Sequence, residues 1–163
     1  MAALTPGTPA PDLEIAQTDG RTFSLRQALG HGPVMLVFYR TDCPICQFSL
    51  PFLERLRRRY GQTASLLLGI SQNDLSATRR FAQEYDFNFP AALDAAGVVS
   101  RAWGLTHVPT VFSVGRQGKI ERAIVGFVRD EYEALNREYA EANAAEPTPL
   151  FESGDAVPAL RPG

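Results

Sequence analysis

"VMLVFYRTDCPICQFSLPFLERL", Val34 to Leu56, is the stretch that decides the reading of this chain. Its first six residues, Val34 to Tyr39, form an unbroken apolar run, the pattern of a strand buried on both faces. Cys43 and Cys46, the chain's only 2 cysteines, follow at once, with Pro44 and Ile45 between them. Beyond them Leu50, Leu53, Leu56 and Tyr60 recur at spacings of three and four, which predicts a helix from about Pro44 to Tyr60. Cys43 therefore stands where a buried strand hands over to a helix. A helix N-terminus offers free N–H groups and a partial positive charge, both of which suit a thiolate. Pro44 fits the first turn, where its missing N–H needs no partner. Cys46 lies almost one turn on, so its sulfur can reach Cys43. The spacing predicts Cys43 as the attacking sulfur and Cys46 as the one that resolves a mixed disulfide.

Two other readings of the pair carry less weight. Half of a zinc site would need two more ligands, and only His31 and His107 could join the cysteines. Two inert core cysteines would not call for a proline between them at a strand-to-helix junction.

Working outward, "SLLLGI" (Ser65–Ile70) reads as a second buried strand. It completes a βαβ unit, which favours parallel pairing and a right-handed crossover. "DLEIAQTDGRTFSL" alternates apolar and polar residues around Asp19-Gly20 and predicts a hairpin. Ser24 is the expected cap of a short helix to Leu29. Asp74 or Ser76 is the expected cap of a helix to about Tyr85. Ala91–Asp94 reads as a short strand, Gly97–Trp103 as a short helix. Thr110–Val114 and Lys119–Gly126 read as an antiparallel hairpin, and "RDEYEALNREYAEANAA" as a last helix with acids near its start. The fold class expected is α/β, with one domain over residues 1–145. Residues 146–163 hold 4 prolines and little periodicity, and read as an irregular C-terminal tail, either packed on the domain or disordered.

Composition narrows function by exclusion. With 163 residues, 45% of them hydrophobic and 21% charged, the chain suits one ordinary globular domain. A net charge of -2 suggests neither a nucleic-acid nor a membrane-surface partner. No apolar run approaches the ~20 residues needed to cross a bilayer. The opening residues lack the basic and apolar parts of a signal peptide, so the expected compartment is the cytoplasm, or the periplasm if a removed signal once preceded them. In a reducing compartment a close cysteine pair is more often catalytic than structural.

Beyond the C-x-x-C, the same stretch resembles the thioredoxin superfamily, in particular its redoxin branch: the TlpA- and ResA-like thiol-disulfide oxidoreductases and the AhpC/TSA-type peroxiredoxins. "GTPAPDLEIAQTDGRTFSL" is similar to that branch's N-terminal hairpin. Pro51 stands where thioredoxin-like proteins kink this helix. "EYDFNFPAALDAAGVVSRAWGLTHVPTVFSV" is similar to the TlpA-type insertion followed by a Val-Pro-Thr loop. The resemblance implies a thioredoxin-like fold, a central mixed sheet flanked by helices. It implies a redox-active disulfide Cys43–Cys46 with no further cofactor and no metal. It also implies a cis proline at Pro109 that presents the Val108 backbone to substrate. The partners implied are a protein or small-molecule thiol or disulfide and an external thiol donor; oligomeric state stays open.

Against that pattern, three positions depart. Asp42 replaces a common tryptophan before the first cysteine. Val37 stands where thioredoxins bury an aspartate, and Ser49 where ResA-like proteins place a glutamate, so both usual proton acceptors are missing. Asp42, His107 or water could substitute, although an exposed histidine without a role is the plainer expectation for His107. Asp42, next to Cys43, is expected to disfavour the thiolate and so lower the reduction potential. The alternative activity is a peroxiredoxin-like thiol peroxidase, with Cys43 as the peroxidatic cysteine and Arg40 binding the peroxide. It is disfavoured because Thr41 stands one residue closer to Cys43 than the peroxiredoxin threonine does.

Overall fold

The computed structural model describes residues 3–163. Along the chain run β1 (Glu14–Ala16), β2 (Thr22–Ser24), α1 (Leu25–Leu29), β3 (Val34–Tyr39), α2 (Pro44–Tyr60), β4 (Leu66–Ser71) and α3 (Leu75–Glu84). They are followed by β5 (Ala91–Leu93), α4 (Val98–Ala102), β6 (Thr110–Val114), β7 (Ile120–Val125), β8 (Phe127–Val128), α5 (Arg129–Ala142) and β9 (Leu160–Arg161). The main sheet has the order β5-β4-β3-β6-β7, with β3, β4 and β5 parallel and β6 and β7 antiparallel to their neighbours. This is the mixed sheet of a thioredoxin-like α/β fold, and the predicted N-terminal hairpin is present as β1 and β2.

The central strand shows why its sequence reads apolar throughout. Successive side chains of a strand point to opposite faces. Met35, Val37 and Tyr39 enter one core cluster with α2 and α5, while Val34, Leu36 and Phe38 enter the other with Leu25, Trp103 and Phe112. Local signals set the helix ends. The Ser24 side chain accepts from the Gln27 N–H, and Asp74 accepts from Ala77. Arg57, Arg58 and Arg59 line the last turn of α2, where cations suit the dipole. Pro51 lies inside α2.

Of the two alternatives for residues 146–163, the structure shows the packed one. Leu150 is fully buried and Phe151 nearly so. Phe151 meets Phe52 with ring centroids 4.9 Å apart and Phe127 at 5.7 Å. Phe127 is the hub of this aromatic group, also touching Phe48 and Tyr132. Arg55 on α2 pairs with Asp155 at 2.7 Å. Farther on, β9 pairs antiparallel with β8. The irregular reading of this segment came from its prolines; its order comes from apolar contacts with α2 that no local period reveals.

Candidate active site

The site lies just beyond the carboxyl ends of β3 and β4, where crevices open in sheets of this kind. Cys43 is the N-cap of α2: its backbone is extended, and its sulfur takes the place of a capping oxygen. The Cys46 N–H donates to Cys43 Sγ at 3.1 Å, and Pro44 occupies the first turn. An N–H is thus aimed at the Cys43 sulfur, an arrangement that favours negative charge there. The Cys43 thiol also faces Val108 O, 3.7 Å away. The Val108–Pro109 peptide bond is cis, and Thr110 Oγ1 donates to His107 O at 2.7 Å across the same turn.

The two sulfurs differ in surroundings. Cys43 is half-buried and Cys46 has 0% exposure; both are free thiols. Burial pushes the Cys46 thiol well above its ordinary range, and the neighbouring Cys43 adds to this; a backbone donor at Arg40 partly offsets it. A buried thiol that resists ionisation is unsuited to first attack.

The loop before Cys43 is clamped from both sides. Thr41 N–H donates to Asn73 Oδ1 at 2.9 Å, and Gln47 Nε2 donates to Thr41 O at 3.0 Å. Neither Asn73 nor Gln47 stood out in the sequence. The signal for Asn73 was its place two residues past a buried parallel strand, at the end of the sheet where sites form.

Arg40 and Asp42 are engaged with each other. Arg40 Nε and Nη2 donate to the two carboxylate oxygens at 2.9 and 3.2 Å. This pair holds the Asp42 carboxyl below its usual range. Asp42 therefore presents itself to Cys43 already partnered, and the Arg40 guanidinium expected to grip a peroxide is occupied by Asp42.

His107 is exposed, and its Nδ1 lies 3.1 Å from Thr106 Oγ1. Ile45 is half-buried and packs against the core cluster that contains Cys46. Ser49, at the position of the missing glutamate, is fully buried and donates to Ile45 O at 2.7 Å. Instead of a carboxylate, the core around Cys46 holds the hydroxyls of Tyr39 and Tyr132, both buried without a hydrogen-bond partner. Burial raises both phenols, and charge on Cys46 would raise them further. Among the described residues, no group of three or more His, Cys, Asp or Glu side chains could hold a metal ion. No described helix is long and apolar enough to cross a membrane.

Comparison with known proteins agrees with this geometry. The chain is 27% identical over 121 residues to thiol-disulfide oxidoreductase ResA of Bacillus thuringiensis subsp. konkukian, covering 74% of this chain and 69% of that protein. A candidate thiol:disulfide interchange protein DsbE from Chlorobium tepidum superposes with a TM-score of 0.76 at 25% identity, over 86% of this chain and 99% of that one. A candidate protein disulfide isomerase from Bacteroides thetaiotaomicron shares the fold with a TM-score of 0.81 at 24% identity, over 88% of this chain and 95% of that one. The model of the AhpC/TSA family matches residues 6–123, and the chain belongs to that family, in the redoxin branch of the thioredoxin superfamily.

Proposed function

We infer that this protein exchanges thiols and disulfides through Cys43 and Cys46. It is a thiol-disulfide oxidoreductase. The observation that carries the reading is the asymmetry of the pair: a half-buried sulfur facing an N–H donor, backed by a fully buried thiol one turn behind.

In the reducing direction the Cys43 thiolate attacks one sulfur of a substrate disulfide. The substrate S–S bond breaks, a mixed disulfide forms, and the first substrate sulfur leaves as a thiolate that takes up a proton. Cys46 then loses its proton and attacks Cys43 Sγ. The second substrate sulfur leaves, and the Cys43–Cys46 disulfide remains. Two electrons have passed to the substrate, and an external dithiol returns them by the same exchange. No further cofactor enters this scheme. The proposed substrates are protein or small-molecule thiols and disulfides. Val108 and Pro109 form the proposed wall of the cleft, and Val108 O is the backbone acceptor nearest the attacking sulfur.

The test compares insulin-disulfide reduction and peroxide consumption in wild type, Cys43→Ser and Cys46→Ser. Disulfide reduction that needs both cysteines supports the reading. Peroxide turnover that survives loss of Cys46, given an external thiol, would replace it with peroxidase chemistry.

A further inference from the structure

Residues 159–163 run beside the proposed cleft. Their strand pairs with β8 in the register Phe127 with Arg161 and Val128 with Leu160, and Arg129 N–H donates to Ala159 O at 2.9 Å. The residue before β8, Gly126, donates its N–H to Pro109 O at 2.8 Å, so β8 begins directly against the cis-proline turn. Two glycines allow the close approach. A Cβ on Gly126 would lie 2.7 Å from Arg161 O, and one on Gly163 would lie 2.9 Å from Val108 O. Val108 O is thus approached by Cys43 Sγ, at 3.7 Å, and by Gly163. The Arg161 guanidinium stacks on Phe48 of α2, 4.8 Å from the ring centroid.

This strand is tethered firmly and held lightly. Upstream, Leu150, Phe151 and the Arg55–Asp155 pair anchor the segment to α2. The strand itself has only two residues, Pro158 and Pro162 flank it, and Leu160 is 58% exposed. A short tether keeps such a segment at high local concentration, so weak contacts suffice to hold it in place. An extended polypeptide reaching Cys43 would also seek backbone pairing beside the cis-proline turn, the mode by which strands add to open edges.

We propose that residues 159–163 are a built-in competitor for polypeptide substrates, filling the backbone edge beside Cys43 that an extended disulfide-bearing chain must use. Small disulfides need no such edge and reach Cys43 with the strand in place. Polypeptide disulfides react only in the fraction of molecules whose strand has left. The proposal rests on the dithiol reading above.

The experiment measures kcat/KM for insulin and for bis(2-hydroxyethyl) disulfide in wild type, in a chain ending at Ala159, in Gly163→Val and in Arg161→Ala. Freeing the edge should raise the insulin value about three- to tenfold, because apparent affinity scales with the competent fraction. The small-disulfide value should stay within about twofold, a shift under 0.5 kcal/mol. A synthetic Ala159–Gly163 peptide should inhibit insulin reduction by the shortened chain. An unchanged insulin-to-small-disulfide ratio in all three variants, or a fall in the insulin value, would overturn the proposal. Wild type inactive on both substrates would instead overturn the dithiol reading. Gly163→Val and Arg161→Ala keep the test valid if the shortened chain does not fold.

Discussion

The Cys46 backbone N–H donates to the Cys43 sulfur at 3.1 Å while the Cys46 side chain is sealed from solvent. Under the proposed roles, one residue serves the attacking sulfur twice, as a donor and as the later resolving group. Cys43→Ser should abolish disulfide exchange. Cys46→Ser should leave the first attack intact and stop the second. The expected product is a persistent mixed disulfide between Cys43 and the substrate, seen by intact-mass spectrometry under non-reducing conditions. Its absence, with wild-type turnover, would exclude Cys46 as the resolving group.

The buried thiol also makes a prediction about pH and stability. Burial raises Cys46 and the phenols of Tyr39, Tyr132 and Tyr139 in the folded protein. A group raised on folding contributes stability that is complete below its unfolded value and is lost as pH rises toward the folded one. For the reduced protein the loss begins above about pH 8.5 with Cys46 and deepens above about pH 10 with the tyrosines. Each group contributes about 1.4 kcal/mol per pH unit in that window. Urea melts from pH 7 to 10.5 should show the decline, and Cys46→Ala should delay its onset to the tyrosine range.

The ion pair beside the site sets the sign of two further substitutions. Asp42→Asn leaves Arg40 as an unpaired cation near the sulfurs, which should favour the reduced form and raise the potential. Arg40→Gln leaves Asp42 unpaired and should lower it. Exposed pairs of this kind are worth roughly 0.2–1 kcal/mol, which for two electrons corresponds to shifts on the order of 5–20 mV. Equilibration against glutathione measures both, and the double variant should return close to wild type. Equal shifts of the same sign would remove the pair from the account.

Phe151 tests whether the segment after α5 belongs to the fold. Its ring is 8% exposed and wedged against Phe52 and Phe127. Phe151→Ala should destabilise by about 3 kcal/mol through lost burial and a residual cavity. In a chain of this size that corresponds to a fall in Tm of roughly 6–12 °C. A Tm within a degree or two of wild type would mean that the segment rests on the domain without supporting it.

What was legible in the sequence follows the range of the forces involved. β3 and α2 were readable to the residue because each carries its cause locally: burial on both faces for the strand, Pro44 and a three-four apolar spacing for the helix. Ser24 and Asp74 announced helix starts because a cap acts within three residues. The dithiol was legible for the same reason. The Arg40–Asp42 pair was not, since a loop gives two residues no fixed spacing. Nor was the Asn73 clamp on Thr41, which joins positions that only the sheet brings together. The irregular course of 146–163 was legible in its prolines, but which side chains pack was not, because Phe151 is held by Phe52 and Phe127, distant in sequence.

The clamp on Thr41 has a consequence for how a partner senses this protein. With its N–H held by Asn73 and its C=O by Gln47, the peptide leading into Cys43 has little room to move when the sulfur changes partner. The two bonds on Thr41 favour a site whose entering backbone stays in place when the Cys43–Cys46 bond is made or broken. On that basis a partner is expected to distinguish the two redox states by chemistry at Cys43 Sγ rather than by a second shape.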